Sequence, residues 1–140
     1  MKVAFILSAM LIHFSCSKTS GGSSGDDSNH IPLDINDATL PVIVIDKPIA
    51  NQVFVNGDNI IIQGKVTDNS LYRGTIKIIN DLNNFVLFNQ PYEIHGQPAF
   101  NFDVQYKTSV AAISNYTVIV EFEDHGLNIT TQTVKVKVNP

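Results

Sequence analysis

The chain has one cysteine, no tryptophan and a single long apolar run, and each scarcity excludes a class of protein. One cysteine leaves no intrachain disulfide to hold a small fold together. The apolar run, Val3 to Ile12, is too short to cross a bilayer as a helix, which takes about 20 residues. With 140 residues and 44% apolar content, the chain has room for one domain with a modest core.

Basic residues are also scarce, because nine Lys and Arg stand against thirteen Asp and Glu. Loss of residues 1–15 would remove Lys2 and leave eight basic against thirteen acidic side chains, a formal charge of −5. Such a chain is repelled by nucleic-acid phosphates and by anionic lipid headgroups. The composition therefore argues against nucleic acid as a partner.

The N-terminus has the layout of an export signal, with Lys2 ahead of the apolar run and small or weakly polar residues leading to Cys16. The sequence Ser15-Cys16-Ser17-Lys18 resembles the lipobox of Bacteroidetes lipoproteins. The resemblance implies a lipoprotein signal peptide over residues 1–15, cleavage before Cys16, and a diacylglycerol and N-acyl (palmitate-type) lipid on that cysteine. The alternative is a signal peptide cut nearby, with Cys16 left as a free thiol.

Lipidation would place the protein in the cell envelope. At about 0.8 kcal/mol per buried CH₂, two or more acyl chains hold a protein stably on a membrane without a transmembrane helix. Ser17 after the cysteine indicates sorting to the outer membrane, with the surface and periplasmic faces as alternatives. The lipid on Cys16 is the one covalent group expected, and no other cofactor is predicted.

The segment after the cysteine predicts a linker over residues 16–40. Residues 17–29 contain no aliphatic or aromatic side chain, so they cannot bury enough surface to offset the entropy of ordering. As a flexible Gly/Ser-rich tether they would span on the order of 20 Å. Residues 30–40 are expected to be a loosely ordered lead-in to the domain.

Residues 41–140 predict an all-β domain, because apolar and polar residues alternate with the period of two that a half-buried strand requires. About seven strands in about a hundred residues is typical of an immunoglobulin-like β-sandwich. The predicted strands are Val42–Asp46 with Val53–Val55 beyond a bend, Ile60–Thr67, Gly74–Asn80, Phe85–Asn89, Phe100–Tyr106, Tyr116–Phe122 and Val134–Val138.

The end of the chain, with its segment VIVEFEDHG over 118–126 and the later VKVKV, resembles the last hairpin of cadherin-like and bacterial immunoglobulin-like domains. The whole is similar to Bacteroidetes lipoproteins that carry such a domain of unknown function. The segment from Asp34 to Pro41 also resembles the calcium-binding linker of cadherins. No metal site is predicted, because a partnering glutamate motif is absent. The alternative is a calcium site at one end of the sandwich, where Asp34, Asp37, Asp68 and Asp124 could meet.

One surface stands out as a candidate for partner binding. If the even-numbered positions of the central strands face the core, Ile79 and Ile119 point outward, and so does one of the pairs Phe85/Leu87 or Val86/Phe88. The two isoleucines with Phe85 or Phe88 could then form an apolar patch, which tends to mark a partner surface. The alternative is that a loop at Gln90–Pro98 covers it.

No catalytic residue is predicted. Glu121 and Glu123 lie two apart on one strand face, and such carboxylates are usually solvated. His95 and His125 are expected to be exposed turn residues. The predicted function is a non-enzymatic, membrane-anchored binding or spacer module whose partner is an envelope protein or a glycan. The alternatives are an accessory subunit or small hydrolase of a surface glycan-processing complex, and a calcium-binding adhesion-type domain.

Overall fold

The computed structural model describes residues 31–140, and this part of the chain is all-β, as the alternation predicts. The predicted signal peptide, Cys16 and tether lie outside the described residues and stay predictions. Between residues 31 and 140 no helix is long and apolar enough to span a membrane. The six strands are β1 (Val42–Lys47), β2 (Gln52–Val55), β3 (Asn59–Asn80), β4 (Val86–Lys107), β5 (Ser114–Asp124) and β6 (Ile129–Asn139).

The strands form one curled sheet in the order β1-β3-β5-β6-β2, and β4 pairs with the other edge of β3. All pairings are antiparallel except that of β2 with β6, which is parallel. The long strand β3 changes neighbours along its length. Its first half pairs with β1 as far as Thr67, and its second half pairs with β5 from Leu71 onward.

The count of about seven strands is wrong, since the described residues form six. Two predicted strands, Ile60–Thr67 and Gly74–Asn80, are parts of β3, and Phe85–Asn89 and Phe100–Tyr106 fall within or beside β4. Residues 53–55 belong to a separate strand, β2. The residues between these predicted strands continue the ladder of β3 and β4 through irregularities in its register.

Much of the core consists of inward-facing residues that the alternation predicts, whereas Leu71 and Ile94 are core residues that lie outside the predicted strands. Ile60, Ile62 and Val66 of β3 are fully buried, and so are Ile76 and Ile78 further along the same strand. Leu71 of β3 is buried as well, and the remaining core residues come from the other five strands: Ile43, Phe54, Ile94, Phe102, Tyr116, Val118, Val120, Phe122, Val136 and Val138. The sheet therefore curls around a single core.

Phe122 lies at the centre of an aromatic cluster in this core. Its ring centroid is 5.9 Å from that of Phe102, 6.1 Å from Phe100 and 6.2 Å from Tyr92. Gly74 lies directly opposite on β3, and a Cβ at this position would overlap the Phe122 ring. Glycine here makes room for the large ring, so the cluster packs tightly against the backbone of β3.

Candidate functional site

Three of the four calcium candidates meet where β3 changes neighbours. Between Thr67, opposite Val42 of β1, and Leu71, opposite Asp124 of β5, the register is irregular. Asp68 lies in this interval, directly after the last residue paired with β1. The end of the lead-in precedes β1, and Asp124 ends β5, so the topology brings three distant segments to one place.

The carboxylates of Asp37, Asp68 and Asp124 converge there. Each contributes one oxygen, and the three oxygens all lie within 4.8 Å of one another. Asp37 and Asp68 are half-buried, whereas Asp124 is fully buried. Asp34, the fourth candidate, is exposed and is not part of this cluster. We call Asp37, Asp68 and Asp124 the aspartate cluster.

Asn128 holds the Asp124 carboxylate in position from the β5–β6 turn. Its backbone N–H donates to Asp124 Oδ1 (2.8 Å), and its side-chain Nδ2 donates to Asp124 Oδ2 (3.0 Å). The same Nδ2 also donates to the backbone carbonyl of Asp37 (3.0 Å). One asparagine therefore orients the buried carboxylate and ties the lead-in to it.

Asp68 is only partly satisfied by the protein. Its Oδ1 accepts the Ser70 backbone N–H (2.9 Å), while Oδ2 is buried and accepts no hydrogen bond from the described residues. None of the ion pairs within residues 31–140 involves a member of the aspartate cluster. Burying charge without a counter-charge is costly. The cluster thus gathers negative charge that the described part of the chain does not neutralise.

This arrangement suits a hard divalent cation. Ca²⁺ takes six to eight oxygen ligands at about 2.3–2.6 Å, so two oxygens on opposite sides of one ion lie about 5 Å apart. The separations within the aspartate cluster fall inside that span. All its ligand atoms are carboxylate oxygens, which favour Ca²⁺ or Mg²⁺ over zinc or copper.

The predicted apolar patch is only partly assembled. Phe88 lies opposite inward-facing Ile78 and packs against the core, so the prediction that it faces outward is wrong. Its ring lies 6.2 Å from that of Tyr106. Ile79 and Ile119 are half-buried, while Phe85 is 66% exposed. The segment expected to form a covering loop is instead part of β4.

His125 is buried, which corrects the expectation of an exposed turn histidine, whereas His95 is exposed as expected. The two rings lie 6.0 Å apart, and the ring of Tyr72 packs against both, at 4.8 Å from His125 and 5.2 Å from His95. Separation by thirty residues in the sequence concealed this contact, which depends on β3, β4 and β5 lying side by side.

Glu121 and Glu123, which were expected to be solvated, are half-buried and have hydrogen-bond partners on neighbouring strands. Glu123 accepts a hydrogen bond from Arg73 Nε at 2.6 Å, and this contact with the anionic carboxylate raises the Arg73 pKa. Glu121 accepts a hydrogen bond from the Thr131 hydroxyl at 3.1 Å. Both contacts link neighbouring strands of the sheet, so the carboxylates act as cross-strand ties.

A second polar cleft, of about 330 Å³, lies beside β6 and is lined in part by Asp81, Asn115 and Lys135. Asp81 accepts hydrogen bonds from the Thr117 hydroxyl (2.6 Å) and from Lys135 Nζ (3.1 Å). The hydrogen bond from Thr117 contributes most to lowering the Asp81 pKa. The hydrogen bond and the positive charge of Lys135 lower it further. The carboxylate of Asp81 therefore has a basic partner, in contrast to the carboxylates of the aspartate cluster.

Sequence reasoning identified the aspartates but missed Asn128 and the role of the β5–β6 turn. A usable signal was present, because Asp124 and Asn128 flank a turn containing Gly126, and Asx side chains commonly hydrogen-bond backbone groups a few residues away. No model of a protein family matches the chain, and no curated protein is significantly similar to it.

Proposed function

We propose that this protein is a non-enzymatic lipoprotein of the cell envelope whose β-domain binds a divalent cation, in the first instance Ca²⁺, at the aspartate cluster. The observation that carries the cation assignment is the convergence of Asp37, Asp68 and Asp124, with one carboxylate fully buried and no basic partner within residues 31–140. The membrane assignment rests on the layout of residues 1–16.

The anchor is lipid on Cys16, and the membrane is the outer membrane. The partner beyond the membrane is an envelope protein or a glycan, and the chain serves as a binding or spacer module. The acidic composition supports a role away from nucleic acid and anionic surfaces. The cross-strand ties of Glu121 and Glu123 support a structural use of the carboxylates that were weighed as catalytic.

The proposed fold is an immunoglobulin-like sandwich. Its first layer comprises β1, the first half of β3 and the second half of β4, and its other layer comprises the remaining halves with β5, β6 and β2. The change of neighbours along β3 and the single core support this proposal. The bend between the layers at Asp68 is also where the aspartate cluster lies.

Cys16→Ser is expected to abolish lipidation and to move the protein from the membrane fraction to the soluble fraction. Serine lacks the thiol that is alkylated, and the apolar run alone does not span a bilayer. Metabolic labelling with radioactive palmitate, followed by fractionation of the producing cells, measures both effects. Ser17→Ala is the control and should retain label. Equal labelling of wild type and Cys16→Ser would contradict the anchor.

Calorimetric titration of the detergent-solubilised full-length protein with CaCl₂ is expected to show saturable binding of one ion. Asp68→Asn should weaken that binding by at least about tenfold, because it removes one of three anionic ligands. Asp46→Asn removes the same charge from an exposed position of β1 and should bind as the wild type does. The cation site would be disproved if the wild-type protein gave no heat of binding and if Tb³⁺ displaced no bound ion.

A further inference from the structure

The polar cleft beside β6 has room for one small ligand. Its volume of about 330 Å³ lies at the lower end of the range of small-molecule sites, about 300–1,000 Å³. Since one water takes about 30 Å³ of liquid volume, the cleft holds about ten waters, which is room for a single sugar ring. Besides Asp81, Asn115 and Lys135, its lining includes Asn51, Val53 and Lys137.

The floor of this cleft is one row of residues across three strands. Val53 of β2 lies opposite Lys137 of β6, and Lys137 lies opposite Asn115 of β5. Paired residues place their side chains on the same face of a sheet, and neighbouring strands lie about 4.8 Å apart. Val53 is 56% exposed. The row therefore presents an apolar surface, a positive charge and an amide side by side, within about 10 Å.

Backbone hydrogen bonds fix the two sides of the cleft. The Asn51 N–H donates to the Lys135 carbonyl (2.7 Å), and the Asp81 N–H donates to the Asn115 carbonyl (3.0 Å). Asn51 has a φ of 62°, a left-handed conformation that is unfavourable for most side chains and that asparagine tolerates better. The sides of the cleft are therefore held in place by the protein itself, so that ligand binding requires little ordering of the backbone.

The cleft carries one positive charge that the described residues do not neutralise. Asp81 and Lys135 form an ion pair at 3.1 Å, so their charges offset each other. Lys137 is half-buried and belongs to none of the ion pairs within residues 31–140. The chain as a whole has a formal charge of −4, but charges beyond a Debye length of about 8 Å are largely screened. The cleft therefore attracts an anionic group although the chain is acidic.

The other polar groups of the cleft suit hydroxyl groups. Asp81 accepts one hydrogen bond on each carboxylate oxygen, from the Thr117 hydroxyl and from Lys135 Nζ. Each of these oxygens has a further lone pair that can accept an O–H from a ligand. The side chains of Asn51 and Asn115 are exposed, and each amide offers both donors and an acceptor. Such paired polar atoms match the neighbouring hydroxyls of a sugar ring.

We propose that this cleft binds a hexuronic acid, a six-membered sugar ring with one carboxylate, as part of a glycan. Lys137 binds the carboxylate, Asp81 and the two asparagines bind the ring hydroxyls, and Val53 packs against ring carbons. The assignment rests on the proposed binding role of the domain, gives its glycan partner a chemical class, and is independent of the cation site. Because no aromatic ring lines the cleft to stack on the sugar, we expect a dissociation constant on the order of 1 mM.

NMR titration of the isotope-labelled full-length protein, in EGTA and in a detergent that contains no sugar, tests the cleft. Sodium glucuronate and sodium galacturonate are the probes. At least one of them should shift the backbone amide resonances of residues 51–53, 81, 115 and 135–137, and the shifts should saturate. Glucose lacks the carboxylate, whereas acetate and inorganic phosphate lack the ring, so each of these should bind at least about fivefold more weakly.

Lys137→Gln should weaken binding of the uronic acid by at least about fivefold, because it removes the charge that pairs with the carboxylate. Lys107→Gln removes the same charge from an exposed position at the end of β4 and should bind as the wild type does. The spectrum of each variant also shows whether it is folded. Absence of saturable shifts at the cleft, equal affinity for glucose, acetate or phosphate, or unchanged affinity in folded Lys137→Gln would each overturn the site. Because EGTA removes Ca²⁺, none of these outcomes affects the cation site, which the CaCl₂ titration tests separately.

Discussion

Ca²⁺ at about 100 times its dissociation constant is expected to raise the thermal unfolding midpoint of the wild-type protein by about 10–20 °C. A ligand at that concentration that binds only the folded state adds about 2.7 kcal/mol to its stability. For a domain of about 100 residues, each kcal/mol shifts the midpoint by about 4–8 °C. Differential scanning calorimetry in CaCl₂ and in EGTA measures the shift.

The effect of Asp68→Asn on the unfolding temperature should have opposite signs in EGTA and in CaCl₂. In EGTA the variant is expected to unfold at the same temperature as wild type or a few degrees higher, because it removes one of three mutually repelling charges. In CaCl₂ it should unfold well below the wild type, since it gains little from the ion. Asp46→Asn, an exposed control, should follow the wild type in both buffers. An unchanged wild-type midpoint in CaCl₂ would refute the cation site.

Phe122→Ala is expected to lower the free energy of unfolding by about 3–5 kcal/mol, a large part of the stability of a small domain. The ring is fully buried, packs against three other aromatic rings, and lies opposite Gly74, which leaves no side chain to fill the space. Alanine would therefore leave a cavity at the centre of the core. Urea unfolding followed by circular dichroism measures the loss.

Phe85→Ala is the matched control, because it makes the same substitution at a ring that is 66% exposed. It should change the free energy of unfolding by about 0.5 kcal/mol or less. Similar losses for the two variants would mean that Phe122 does not occupy the centre of the core. The comparison also tests the strand register, because a slip of one residue would turn Phe122 outward.

The strands were predictable because a strand with one buried face repeats its apolar residues with a period of two. Ile60, Ile62 and Val66 were assigned to the core on this basis and are fully buried. Strand ends were harder to predict. The predicted strand Ile60–Thr67 ends before Asp68, but β3 continues through Asp68 because β4 pairs with it on both sides of the irregularity.

The aspartate cluster was predictable in its members and not in its geometry. Asp37, Asp68 and Asp124 were candidates because they could meet at one end of the predicted sandwich, and Asp34 was an equal candidate that the structure leaves exposed. Their convergence depends on where β3 exchanges β1 for β5, which is a long-range pairing. Local sequence patterns carry no information about that exchange, and they gave no sign that His125 would be buried.

By itself, the sequence determined the all-β class, the inward faces of the strands, the acidic charge and the expectation of a lipid anchor at Cys16. Each of these follows from local composition or from a period of two along the chain. Only the tertiary structure decided that β3 spans two pairing partners and that the lead-in docks on the β5–β6 turn. It also decided that three carboxylates far apart in the sequence share one buried location, since these features arise from contacts between distant segments.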